Sequence, residues 1–314
     1  MTQPLILLGV LILVALAGMA LLNFRTARLA EFANPPAGKF IDVNGCRLHY
    51  AEKGEGDVLV LLHGSGSMLQ DFTASNLFEL AAQEFRVIAF DRPGYGHSTR
   101  PRATIWTADA QAELIHCALA GLNVRRAIVF AHSWGPLVAI SLALKHPEAV
   151  RGLVLASGFY YAKYDLEIVL HWPAAMPLAG PVLQWTIAPL LGRLAWRSEV
   201  AKNFDPRPVP DTFAEFPQEM ALRPSHIATT VMETKLLLPS ASALTCEYGK
   251  LNMPVTIMTG ESDRICDARV HSLQLHHDVP HSKLICLPGE GHMIHYTATS
   301  AVMEAIRLVA RESR

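Results

Sequence analysis

The clearest chemical potential in this sequence lies in Ala131-His132-Ser133-Trp134-Gly135, which follows an apolar run at 127–131 and precedes a helical run at 136–145. A serine on a sharp strand-to-helix turn has its Oγ lifted above the sheet, and small residues two positions to either side let the backbone turn that tightly. Ala131 fills the first of those positions, where glycine is usual, and Gly135 fills the second. Serine ahead of a helix more often acts as a cap, but the buried strand immediately before it favours a nucleophile. A nucleophilic serine needs a base, and the base needs an orienting acid. Thr259-Gly260-Glu261-Ser262-Asp263 ends a later apolar run, and Pro288-Gly289-Glu290-Gly291-His292 follows the last one. Ser133, Asp263 and His292 therefore all lie just past strand ends, where an open parallel sheet gathers its reactive groups. Glu261 and Asp267 are rival acids and His295 is a rival base. Asp263 and His292 occupy the loop positions better suited to reach inward.

His63-Gly64-Ser65-Gly66-Ser67 follows the apolar run 58–62. Glycines there free backbone N–H groups to point at a ligand. The N–H groups of Ser65 and of Trp134, just after the candidate nucleophile, are the expected oxyanion hole. Asp91-Arg92-Pro93-Gly94-Tyr95-Gly96-His97-Ser98 follows the run 86–90 and reads mainly as a structural turn.

Positioning these groups requires a layered scaffold, and the pattern supplies one. Residues 39–43 and 46–52 alternate around Asn44-Gly45, a hairpin signal. Short, fully apolar runs follow at 58–62, 86–90, 127–131, 153–156, 255–259 and 283–287. Such runs suit strands buried on both faces of a parallel sheet. Helical stretches at 107–121, 136–145, 268–277 and 299–311 alternate with them, the signature of an α/β domain. The alternation breaks between about 160 and 248, a stretch rich in Pro, Trp, Leu and Met that reads as a helical cap insertion. Its portion 176–196 is nearly uncharged and suits a lid over lipophilic groups.

The chain has 314 residues and a formal net charge of −1, with no long run of like charge, so nucleic acid is not an expected partner. Its 14 histidines are scattered without zinc-type spacing, so no metal is expected, and His276-His277 reads as a surface pair. Five widely spaced cysteines, Cys46, Cys117, Cys246, Cys266 and Cys286, imply no disulfide framework.

The amino terminus differs in kind. Residues 4–22 carry no charge, and roughly 20 apolar residues suffice to cross a bilayer. Ala15-Leu16-Ala17 imitates a signal cleavage site, but the run continues to Leu22 and nothing basic precedes it, which favours a retained single-pass anchor over a cleaved signal. Arg25 and Arg28 follow the run, so the positive-inside rule keeps the body of the protein in the cytoplasm. A short amphipathic stretch at 23–33 and Pro35-Pro36 then lead into the main domain. The expected division is residues 1–34 for anchor and linker and 35–314 for the domain that carries the cap.

Taken together, His-Gly-Ser-Gly, Asp-Arg-Pro-Gly-Tyr-Gly-His-Ser, His-Ser-Trp-Gly, Gly-x-x-Asp and Gly-x-Gly-His resemble the α/β-hydrolase superfamily in motif and order, over about residues 39–160 and 245–314. The resemblance implies a mostly parallel eight-stranded sheet with helices on both faces. It also implies cofactor-free serine chemistry on a small molecule, for which the anchor and cap suggest a lipophilic carboxylic ester. Dehalogenases and epoxide hydrolases of this fold attack with aspartate, whereas this chain has Ser133; Tyr160, Tyr161 and Tyr164 do not outweigh that. Carbon–carbon bond, lactone and amide hydrolases, perhydrolases and catalytically silent binding proteins share the fold and stay open. The carbon–carbon hydrolases resemble the chain at His63–Gly66, but their elbow usually carries Met and two glycines rather than Trp134 and Gly135.

Overall fold

The computed structural model describes residues 2–162, 176 and 179–314; Tyr164 and the 163–175 portion of the expected cap lie outside the described residues. In chain order, helix α1 (Thr2–Ala33) leads into strands β1 (Lys39–Val43), β2 (Cys46–Lys53) and β3 (Val58–Leu62). Helices α2 (Gln70–Ala74) and α3 (Leu77–Ala81) precede β4 (Arg86–Phe90), and α4 (Ala108–Gly121) precedes β5 (Ala127–His132). Then come α5 (Gly135–Lys145) and β6 (Val150–Ala156). The cap contributes α6 (Ala179–Trp185), α7 (Ile187–Phe204), α8 (Gln218–Ala221) and α9 (Pro224–Thr245). The chain closes with β7 (Val255–Gly260), α10 (Gln274–Asp278), β8 (Lys283–Leu287), α11 (Ile294–Thr297) and α12 (Thr299–Glu312).

The strands form one eight-stranded sheet in the order β1-β2-β4-β3-β5-β6-β7-β8. The β1–β2 hairpin and the β2–β4 pair are antiparallel, and every other pairing is parallel. Asn44 and Gly45 both take positive φ in the hairpin turn, which the right-handed strand twist favours. The apolar runs are continuous because alternate side chains feed two different cores. Val60, Leu62, Val129 and Ala131 face α4 and α5, while Leu59, Leu61, Ile128 and Phe130 face α3 and α12. All the parallel strands run the same way, so the loops after β3, β4, β5, β7 and β8 emerge along one edge, beneath the cap.

Two local features differ from the sequence reading. Short α2 and α3 are one-turn helices, below the length at which a helical period can be read. The amphipathic stretch 23–33 is not a separate element but the last third of α1, which runs unbroken to Ala33. No proline or glycine falls within 23–33, and one stripe of that stretch is buried against the cap: Ala30 packs with Phe216, Met220 and Ala221. Glu31 pairs with the buried Arg223 at 2.8 Å. The first part of α1 is long and apolar enough to cross a membrane.

One turn at the sheet edge is held by a buried carboxylate. Asp91 accepts the backbone N–H groups of Leu69 at 2.8 Å and His97 at 2.9 Å, and its other contact is His49 Nδ1 at 2.7 Å. A Cβ on Gly96, which sits at φ 49°, would overlap that carboxylate. Gly96→Ala is therefore expected to cost about 2 kcal/mol or more, read as a shifted denaturation midpoint; an unshifted midpoint would contradict the packing.

Candidate active site

Two residues separate β5 from α5, and the first of them, Ser133, takes φ 59°. A non-glycine residue adopts that left-handed conformation at a cost, and it persists only where the surroundings enforce it. Here the Ser133 N–H donates to Ala156 O at 3.0 Å and Phe159 N–H donates to Ser133 O at 3.2 Å. Close packing requires glycine on either side of the turn. A Cβ on Gly135 would lie 2.6 Å from Leu62 O, and one on Gly64 would lie 2.9 Å from Ser133 Cβ. Ala131, in contrast, fits fully buried in the sheet. Ser133 does not cap α5: Trp134 stands at the cap position and contributes no side-chain bond.

The loops after β7 and β8 bring Asp263 and His292 together. His292 Nδ1 lies 2.8 Å from Asp263 Oδ2, and both side chains are buried. Asp263 Oδ1 accepts the backbone N–H groups of Ile265 at 2.8 Å and Cys266 at 2.9 Å, which fixes the carboxylate so that its other oxygen faces the ring. Such an acid holds one tautomer of the imidazole, with Nδ1 protonated and Nε2 free to accept. Ser133 and His292 line the same cavity; among the described residues no hydrogen bond joins the serine hydroxyl to the ring. The rivals are placed elsewhere. Glu261 and Asp267 are exposed, and Asp267 accepts the N–H of Arg269 at 2.8 Å. His295 is buried behind the site, 3.2 Å from Asp71. His132 lies between: its Nε2–H donates to His292 O at 3.0 Å, and its ring is 4.3 Å from that of His295. Asp71, His132 and His295 each bring a potential metal-ligand atom within 4.8 Å of the others; here the carboxylate meets the His295 ring directly.

Ser65 and Trp134, the expected oxyanion donors, also line this cavity. What holds the Ser65 loop went unread in the sequence. Arg92 is fully buried, and its guanidinium donates to His63 O and Gly64 O, both at 2.8 Å. It also meets both oxygens of the fully buried Glu233, at 2.5 and 3.1 Å, and Gln111 at 3.0 Å. Tyr95 O–H donates to Glu233 at 2.7 Å and lies 3.0 Å from Ser65 Oγ. Burial alone would raise the Glu233 carboxyl, but Arg92 holds it below its ordinary value. Burial, then Glu233, pushes the Tyr95 phenol up. His63 accepts the Arg92 N–H on Nε2 at 3.0 Å, so its Nδ1–H donates to Gly64 O at 2.7 Å. The turn 91–98 is thus structural and also grips the candidate oxyanion loop. An isolated acid in the nearly uncharged sequence of α9 was the one available signal for Glu233.

The cavity measures about 350 Å³. Its floor is Ser133, His292 and the Ser65 loop, and its walls include Trp196, Val200, Phe204, Phe213 and Leu237 from the cap. Phe213 stacks on Phe216 at 5.4 Å and meets Phe204 edge-on at 5.2 Å, giving that wall an aromatic lining.

Comparison with known proteins agrees with this architecture. The model of the alpha/beta hydrolase fold family matches residues 57–299. The (E)-2-((N-methylformamido)methylene)succinate hydrolase of Acinetobacter baylyi is 24% identical over 84% of this chain and 94% of its own. A thermophilic esterase from Thermogutta terrifontis superposes with a TM-score of 0.70 at 20% identity, covering 88% of this chain and 99% of that one. A membrane phospholipase A, described as a bacterial virulence factor, superposes at 0.66 with 20% identity over 96% of this chain and 98% of that one.

Two outcomes follow from the electrostatics. Glu233→Ala strands a buried guanidinium and is expected to cost about 3–5 kcal/mol, measured by denaturant unfolding; a loss under about 1 kcal/mol would mean that Arg92 does not depend on it. Burial also lowers the imidazoles of His63, His132 and His226, the last to about 3. Below about pH 6.5 the unfolded chain protonates these rings while the folded one does not, so stability present above that pH is lost as pH falls, by about 1.4 kcal/mol per ring per unit. The melting temperature is expected to drop between pH 7.5 and pH 5; a flat profile contradicts the neutral burial of these rings.

Proposed function

This chain belongs to the alpha/beta hydrolase family, and from that premise we propose that it is a serine hydrolase that cleaves lipophilic carboxylic esters with Ser133, His292 and Asp263. The observation that carries the reading is that His292, paired at 2.8 Å with buried Asp263, lines the same cavity as a serine held at positive φ. In this reading His292 Nε2 takes the Ser133 proton as Oγ attacks the ester carbon. The carbonyl electron pair moves onto oxygen, which the N–H groups of Ser65 and Trp134 stabilise; one such donor lowers the barrier by roughly 3 kcal/mol. Collapse expels the alcohol, which leaves with the proton from His292. Water, deprotonated by the same ring, then attacks the acyl-enzyme and frees the acid.

The aromatic cap wall supports a preference for an apolar acyl or alcohol group. The apolar part of α1 supports a single-pass anchor of residues 1–34 ahead of a hydrolase domain at 35–314, and Arg25 and Arg28 after it favour a cytoplasmic domain. The names of two similar folds, an esterase and a membrane phospholipase A, agree with this class of reaction.

Turnover of p-nitrophenyl esters from acetate to palmitate tests the reading. Wild type is expected to prefer the longer chains, and Ser133→Ala to lose about 10³-fold or more in kcat. Equal activity in the two proteins would remove Ser133 from the chemistry. A wild type inactive on every ester would move carbon–carbon, lactone or amide substrates ahead.

A further inference from the structure

The outward surface of the cap is apolar where a soluble enzyme would be polar. On α6, Val182 is 48% and Trp185 42% exposed; on α7, Leu190 is 48%, Leu191 57% and Leu194 75% exposed. A contiguous exposed patch of large apolar side chains marks a surface that meets something. On α7, positions 190, 191 and 194 share one side at helical spacing, and the opposite side carries Trp196, Val200 and Asn203, which line the cavity. One helix therefore separates the cavity from the apolar surface.

The position of that surface is fixed by α1. The uncharged run ends at Leu22, and the next residue, Asn23, is buried against the cap. Its Nδ2 donates to Trp185 O at 3.1 Å and to Thr186 O at 2.6 Å, the junction of α6 and α7. Asn23 Oδ1 in turn accepts from Arg193 at 3.5 Å. The point where α1 leaves the hydrocarbon is thereby tied to the base of the apolar patch. Leu194 lies eight residues along α7 from that junction, about 12 Å at the helical rise. Exposed Arg25, Arg28 and Arg197 lie along the same region, as expected of a helix pair seated among anionic headgroups with its cationic side chains at the rim.

We propose that the outer face of α6 and α7 is a lipid-embedded surface, seated in the headgroup–acyl boundary of the membrane that α1 crosses. The cavity behind α7 is then reached from the bilayer. This inference rests on the anchor in the preceding section and not on the hydrolytic chemistry, so it stands or falls independently of which bond is cleaved.

The test uses the full chain in phosphatidylcholine vesicles, with and without acyl-brominated lipid, which quenches tryptophan on contact. Leu194→Trp is expected to add emission that brominated lipid quenches by half or more, and Trp185→Phe to remove a quenchable component. Arg311→Trp is the control. It sits with Asp57 and Glu84 at the amino-terminal edge of the sheet, away from the cap, and should add unquenched emission. Emission from Leu194→Trp as insensitive as that from Arg311→Trp overturns the proposal. If cross-linking through position 194 then captures a second copy, the face belongs to a dimer. A chain that fails to float with vesicles overturns both the anchor and the surface. None of these readouts depends on enzymatic activity.

Discussion

Arg92 carries a permanent charge into the fully buried space between sheet and cap, and the neighbouring elements are arranged around its neutralisation. An unpaired guanidinium there would cost several kcal/mol, so its donors must be met from several directions at once. The loop after β3 gives two carbonyls, α4 gives Gln111, and α9 of the cap gives the Glu233 carboxylate. One side chain thereby fixes the Ser65 loop, the turn after β4 and the cap relative to one another. Its Cζ also lies 4.8 Å from the centroid of the Trp134 ring, next to Ser133. The strained serine turn and the loop opposite it are held by one charged hub, so their separation is not left to flexible surface loops.

The sheet supplies the rest of the geometry. Parallel pairing puts the ends of β3, β5, β7 and β8 along one edge, and each of the candidate groups Ser65, Ser133, Asp263 and His292 lies within five residues of the end of its strand. Distances in the site then follow from strand spacing and a few loop bonds, such as the two N–H groups that turn Asp263 toward His292. The cap adds an apolar roof, and α1 is clamped to that roof through Asn23 and the Glu31–Arg223 pair. Helix α1, cap and cavity form one mechanical series.

Much of this was legible in the sequence, for physical reasons. Six of the eight strands left short, continuous apolar runs, the β1–β2 hairpin at the edge was visible instead as alternation around Asn44-Gly45, and the candidate reactive groups at strand ends inherit that visibility. Asp263 was preferred to Glu261 and Asp267 for its loop position, and among the three it is the one that meets His292, while the other two are exposed. Glu233 was not legible as a partner of Arg92, because a cap helix carries no strand-end landmark and the pair is 141 residues apart. The continuity of α1 was missed because the change from apolar to mixed composition at Asn23 looks like an element boundary, whereas it marks the change from exposed helix to docked helix. The one-turn helices α2 and α3 are too short to leave a period.

The role of Ser133 can be read without knowing the substrate. The full chain in detergent would be treated with an alkyl fluorophosphonate, and its intact mass and proteolytic peptides measured. A single phosphonyl adduct on the peptide carrying Ser133, formed rapidly in wild type and far more slowly in His292→Ala, is the expected result. An unmodified Ser133, or labelling at another serine with no dependence on His292, would contradict the assignment of these residues to a nucleophile and its base.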